Sequence, residues 1–201
     1  MEKPAVTSLD IHPLIKSRWS PRAFKTREVE AEKLRRIFEA ARWAPSSFNE
    51  QPWRFIVGSK GGDTWDKLYG CLIDFNQKWN HNVPVLLMSV GKKTLTRNGR
   101  PNAVFHYDVG QSMAYITLQA VSEGLMVHQM GGFSKERARG LFRIPDDFEP
   151  LTMMAIGYQD EASVLPSDLE QQETAPRQRK PARDLVFSGN FGESGSLTAS
   201  H

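Results

Sequence analysis

A single cysteine, Cys71, stands among 201 residues. One thiol excludes an internal disulfide and any multi-cysteine metal site, and so sparing a use of cysteine points to a reducing cytoplasm. Long apolar runs are missing too. None approaches the ~20 residues of a membrane span. Nothing hydrophobic follows the start Met1-Glu2-Lys3-Pro4, so neither a membrane segment nor a signal peptide is expected. His12, His81, His106, His128 and His201 are scattered, with no HExxH or CxxC spacing, and no metal site is expected. A G-x-S-x-G elbow and a GxGxxG loop after a strand are also absent, which removes support for a hydrolase triad or a Rossmann cofactor site. No repeat of 20–50 residues suggests a solenoid.

What is present is ordinary in bulk. Hydrophobic residues at 39% and charged residues at 24% suit one domain with a sizeable core. The net charge of +3 is mostly dispersed among acids, which argues against a nucleic-acid surface. The exception is Arg177-Gln178-Arg179-Lys180-Pro181-Ala182-Arg183. It reads either as a solvated face or as a site for a small phosphate-bearing molecule.

Periodicity predicts a short helix over residues 9–17 and a clear amphipathic helix over 30–43, where Leu34, Ile37, Phe38 and Ala41 share a face and Pro45 ends the run. Residues 54–57 read as a strand and 65–75 as a second helix. The apolar run 83–90 reads as a strand covered on both faces, and the polar run 92–102 as a loop. A long helix from a cap at Asp108 to Glu123 would bury Val109, Met113, Ile116 and Ala120. A strand over 125–130, a helix capped by Ser134 and a last strand over 151–158 follow. The pattern is α+β, a mixed sheet packed against helices. Residues 1–188 are expected to form one domain, and 189–201 a loose tail. Leu185, Val186 and Phe187 form an apolar island that needs a surface to dock on.

Two stretches are dense in polar chemistry. In Arg18-Trp19-Ser20-Pro21-Arg22, an extended backbone sends positions 18, 20 and 22 the same way. Guanidinium forks match phosphate oxygens, although a surface arginine pair beside a turn would look the same. The second stretch is Pro45-Ser46-Ser47-Phe48-Asn49-Glu50-Gln51-Pro52-Trp53. Ser46, Ser47 and Asn49 offer donors and acceptors to a flat heterocycle; a helix stop and turn explains Pro45 but not the whole run. Asn76 reads as a helix-ending asparagine or a ligand contact. Gly131-Gly132 after the strand ending at Met130 permits close backbone approach, or is a plain turn. His128 and Met130 read as core or interface rather than catalytic.

These motifs, in this order, resemble the nitroreductase family of FMN-dependent oxidoreductases over residues 11–188. Arg18-x-Ser20-x-Arg22 is similar to its first flavin motif, and the run from Pro45 to Trp53 to its second. The segment from Gly124 to Phe133 resembles its strand and turn beside the flavin ring. Arg177-x-Arg179-Lys180-Pro181 resembles its C-terminal phosphate-binding end.

The resemblance implies a nitroreductase-like fold, FMN as cofactor, NADH or NADPH as donor and a homodimer with sites at its interface. The C-terminal tail would pack on the partner subunit. Arg18 and Arg179, helped by Arg177, would hold the phosphate. Ser20, beside Trp19, would bond the phosphate or ribityl chain, with Arg22 near the ribityl or pyrimidine edge. Asn76 would bond the pyrimidine. Gly131, flanked by Met130 and Gly132, would present its N–H to N5. Pro45, Ser46, Ser47 and Asn49 would reach the partner's flavin. No acid–base residue is implied. Many family members carry an acid where this chain has Gly131, which implies a more open pocket. The implied activity passes electrons to a small-molecule acceptor, a nitroaromatic or quinone, by a ping-pong route. Reductive dehalogenation, flavin fragmentation or flavin binding without efficient turnover are the alternatives on the same fold.

Overall fold

The computed structural model describes residues 2–193 and 195. A short helix, α1 (Pro13–Ser17), starts the fold, with His12 Nδ1 accepting from the Leu14 N–H. The amphipathic pattern is realised as α2 (Ala31–Arg42), with Ile37 and Ala41 buried. Strand β1 (Trp53–Ser59) follows, then helices α3 (Asp63–Cys71) and α4 (Asp74–Asn80). Strand β2 (Val85–Lys92), helix α5 (Phe105–Ser122), strand β3 (Met126–Met130), helix α6 (Lys135–Phe142) and strand β4 (Phe148–Gly157) complete the core. Helix α7 (Ser167–Thr174) leads to the C-terminal segment.

The sheet order is β1-β2-β4-β3. The α+β class stands. Its strands differ from the expected mixed sheet, since all three pairings among the described residues are antiparallel. Alternation sorts the core into two layers. Val85 and Leu87 of β2 and Met154 and Ile156 of β4 face α2 and α5, where they meet Ile37, Val109, Met113 and Ile116. Leu86, Met88, Met153 and Ala155 face the other way, onto Trp65, Leu68, Trp79 and Leu169. Strand β2 is therefore covered on both faces, as its unbroken apolar run predicts.

Three expectations are corrected. The helix expected over 65–75 is two helices, because Leu72 and Ile73 turn extended and pair with the glycine turn: Leu72 bridges Phe133, and the Ile73 N–H donates to the Gly132 carbonyl at 3.2 Å. Asp108 does not cap α5, which begins at Phe105; it lies in the first turn and is buried. Residues 92–102 are not a plain loop, since Thr94 bridges Pro101 and the Leu95 N–H donates to the Arg100 carbonyl at 2.8 Å. Of the tail 189–201, residues 194 and 196–201 lie outside the described residues. The rest turns back on itself, with the Ser188 N–H donating to the Glu193 carbonyl at 2.9 Å. Among the described residues, no helix is long and apolar enough to cross a membrane.

Candidate functional site

Residues 3–5 and the segment around Arg177 meet beside the Arg18 segment. Arg18 Nη1 donates to Ser20 Oγ at 3.2 Å, so these two side chains do lie on one side. Arg177 anchors the C-terminal segment by donating to the carbonyls of Lys3 (2.7 Å) and Lys16 (3.2 Å). Burial first, then the charges of Arg177 and Arg179, hold the Arg18 guanidinium below the usual arginine range. Arg177 is lowered in the same way, by burial and by Arg179. None of the three has an acidic partner among the described residues. Like charges gathered without a counter-charge favour an anion nearby. A cavity of about 400 Å³ opens beside it, between Val6, Thr7 and Ser8 on one side and Arg179 and Lys180 on the other.

Arg22 departs from the expected common side. Its side chain turns inward, with Nη1 4.0 Å from Glu173 Oε2. Trp19 is buried, with Lys3 Nζ 4.6 Å above its ring. Its indole therefore supports the segment from beneath.

The glycine turn is built from β3, the α3–α4 junction and Asn76. Asn76 is 7% exposed, and its Nδ2 donates to the Gly132 carbonyl at 2.9 Å. A Cβ on Gly132 would lie 2.6 Å from Ile73 Cδ1 and 2.8 Å from Asn76 Nδ2, so a larger residue would have to displace both side chains. At Gly131 a Cβ would meet nothing within 4 Å, so that position faces open space. The Met130 side chain is buried, with its sulfur 3.2 Å from Asn80 Nδ2. The Met130 carbonyl accepts the Thr152 hydroxyl at 2.9 Å. His128 joins this turn to the arginine segment: Nδ1 lies 2.9 Å from the Pro21 carbonyl, and the ring packs 4.6 Å from Trp79. Burial pushes the imidazole down to about 4, so it is neutral at pH 7 and Nδ1 carries the proton donated to Pro21.

The third group is the loop after α2. Phe48, Asn49 and Gln51 have φ of 53°, 56° and 47°. Three non-glycine residues in the left-handed region cost roughly 1 kcal/mol or more each. Internal bonds hold them there. The Gln51 N–H donates to Ser46 Oγ at 3.0 Å, and Gln51 Nε2 donates to Asn49 Oδ1 at 3.0 Å. Glu50 Oε2 accepts the Thr96 N–H at 2.8 Å, and Arg97 stacks 4.0 Å above the exposed Phe48 ring. Part of the acceptor set that Ser46 and Asn49 offer a ligand is thus spent on the loop's own shape. No hydrogen bond among the described residues joins this loop to the arginine cluster.

Sequence reasoning missed the buried acid Glu173 and misread Asp108 as a cap. Both carry a readable signal: a charge in register with apolar helix positions. Leu169 and Glu173 are four apart on α7, and Phe105 and Asp108 are three apart on α5, and all are buried.

What the structure defines is an α+β protein, a four-stranded antiparallel sheet between two sets of helices, with an arginine cluster that has no acidic partner among the described residues. The comparisons with known proteins give that class its family. The model described as the nitroreductase family matches residues 15–78 and 73–158, more than half of the chain. The chain belongs to the nitroreductase family. A crystal structure of an oxidoreductase containing FMN is 35% identical, with a TM-score of 0.88, and covers 94% of this chain and 96% of its own. A nitroreductase family protein from Clostridium difficile 630 is 27% identical, with a TM-score of 0.69 over 89% of this chain and 97% of its own. A 15.4 kDa protein of Mycolicibacterium smegmatis is 30% identical over 147 residues, 69% of this chain and 97% of its own.

Proposed function

We propose that this protein is an FMN-dependent oxidoreductase that takes electrons from NADH or NADPH and passes them to a nitroaromatic or quinone. Family membership and the likeness to an FMN-containing oxidoreductase support the coarser part of this reading. One observation on the chain itself carries it: Arg18, Arg177 and Arg179 crowd together without an acid, so that burial and mutual repulsion lower Arg18. A phosphate dianion would relieve that repulsion, and the residues present therefore fit FMN at its phosphate end.

Bound FMN would supply hydride acceptance at N5 and electron release to the second substrate. The chain's own groups would bind and orient. Arg18, Ser20 and Arg179 would hold the phosphate. Asn76 would lie on the pyrimidine side and fix the turn that presents the Gly131 N–H, while Arg22, turned inward to Glu173, would support the segment from within the fold. Open space at Gly131 would let either substrate approach the same face in turn, which suits ping-pong order. No side chain here is assigned a proton-transfer role.

The loop of residues 45–49 would complete the site of a second copy, so the unit is proposed to be a homodimer. Its support is the exposure of Trp43 (70%), Phe48 (71%) and Leu185 (61%). Residues 1–188 would act as one unit in that assembly. The test is the absorption spectrum of purified protein. It should show oxidised flavin bands, and heating should release FMN. A colourless protein that takes up no flavin from excess FMN overturns the proposal.

A further inference from the structure

Glu173 is the most deeply placed charge in this part of the molecule. It sits near the C-terminus of α7 at 1% exposure. Its Oε1 accepts two backbone N–H groups, from Arg22 at 2.8 Å and from Ala23 at 3.1 Å. Its Oε2 meets no donor at hydrogen-bond distance among the described residues, and the Arg22 guanidinium lies 4.0 Å away. Its backbone carbonyl accepts Lys3 Nζ at 2.5 Å. Four residues on, Arg177 donates to the Lys3 and Lys16 carbonyls, and the Ala5 N–H donates to the Lys16 carbonyl at 2.7 Å. Three distant stretches are thereby clasped: residues 3–5, residues 16–23 and residues 173–177.

We infer that Glu173 is the positioning residue of the phosphate cradle, acting through the two N–H groups it accepts to set where the Arg18–Ser20 segment stands against Arg177 and Arg179. The inference rests on the FMN reading above. Burying a carboxylate costs several kcal/mol unless it is well hydrogen-bonded. The short contacts are both on Oε1, and the ion pair on Oε2 is long. Reach, more than charge, is what the geometry uses. A register set at Ala23 and Arg22 is passed back through the bend at Arg22 to Ser20 and Arg18, whose side chains already touch.

The experiment separates reach from charge. Glu173→Asp keeps the charge and withdraws it by one methylene; Glu173→Gln keeps the reach and removes the charge. Binding of FMN and of riboflavin to flavin-free wild type and both variants is measured by fluorescence quenching, with thermal unfolding run alongside. Glu173→Asp is expected to shrink the preference for FMN over riboflavin by about tenfold, the worth of one to two hydrogen bonds, while Glu173→Gln keeps the wild-type preference. In wild type itself, the Arg22 and Ala23 amides should gain hydrogen-exchange protection with FMN and not with riboflavin. This readout does not depend on a variant folding. A preference lost in Glu173→Gln, a preference kept in Glu173→Asp, or equal protection by the two ligands overturns the inference. Wild type that does not prefer FMN to riboflavin would instead refute the phosphate reading, and the inference would fall with it.

Discussion

The Ser47 backbone N–H donates to Asp108 Oδ2 at 3.1 Å, across 61 residues of sequence. The carboxylate belongs to a residue that is 2% exposed in the first turn of α5. A negative charge at a helix N-terminus is favoured by the helix dipole, and here it also holds the strained loop that precedes β1. Asp108→Ala would leave a backbone donor unmet and release three left-handed residues from their anchor. A loss of about 1–3 kcal/mol is expected. Asp108→Asn keeps an acceptor and should cost less. Urea unfolding of both variants checks this, and equal losses would show that the Ser47 contact is not the anchor.

The arginine cluster makes its own prediction. Replacing Arg18 or Arg179 by Ala removes a charged bond and should weaken FMN by ~1.5–3 kcal/mol, about ten- to a hundredfold. Riboflavin, without a phosphate, should bind the variants and wild type about equally. Arg18→Ala should also relieve repulsion and leave flavin-free protein no less stable, because burial and like charges already lower that group. Undiminished discrimination between FMN and riboflavin would remove Arg18 and Arg179 from the phosphate site.

Neighbouring glycines should behave oppositely. Gly132→Ala drives a methyl to within 2.8 Å of both Ile73 and Asn76, and should cost about 1–3 kcal/mol through overpacking and loss of the Asn76 bond. Gly131→Ala meets open space and should leave the melting temperature nearly unchanged. Parallel melting curves decide it. Equal destabilisation would mean that the turn is set by backbone conformation rather than by Asn76.

Much of this was legible because local rules and tertiary packing agree. The i, i+3, i+4, i+7 stripe of α2 and the unbroken apolar run of β2 each point to one burial pattern, and the structure has it. Ser134 is read as a helix cap and accepts the Arg137 N–H at 3.1 Å. Legibility fails where a distant partner outbids the local preference. The break at Leu72 and Ile73 has no proline to announce it, and Gly70 just before it stays helical within α3; the Gly132 carbonyl and Phe133, some sixty residues on, supply the competing bonds. Arg22 likewise follows a strand-like alternation in sequence but is drawn inward by Glu173, 151 residues away. The pairing of strands is non-local in the same sense, and alternation within a strand says nothing of its neighbour's direction.

His128 ties stability to pH. Its folded-state value, about 4, lies below the ordinary 6.5, and burial is the main cause. Between these values the unfolded chain takes up a proton that the folded protein refuses. The His128 contribution is therefore complete above about pH 6.5 and is lost progressively as pH falls to about 4, at most ~3 kcal/mol in all. His128→Asn can still donate to the Pro21 carbonyl but cannot titrate. Stability measured in urea at pH 7 and pH 4.5 should fall further for wild type than for His128→Asn. The same drop in both proteins would assign the acid sensitivity to other groups.

The homodimer proposal is the most exposed to refutation. A site that takes Arg18 and Arg179 from one chain and Ser46, Ser47 and Asn49 from another cannot assemble in a monomer. In the single chain, Leu185 and Val186 stand 61% and 46% exposed beyond the turn at Ala182–Asp184, and Phe187 packs 4.9 Å from Phe191. Apolar side chains left open at the end of a polar stretch ask for a second surface, and burying each would contribute ~1.5–3 kcal/mol. Deleting residues 184–201 should therefore weaken the dimer and lower flavin occupancy together, with the Arg177–Arg179 cradle still in place. Mass and flavin content would be followed across a dilution series for the full chain and the truncation. In both, flavin loss should track dissociation. A dilute monomer that keeps its flavin and its reductase activity would show a site complete within one chain, and residues 45–49 would then have to be placed elsewhere than over a partner's cofactor.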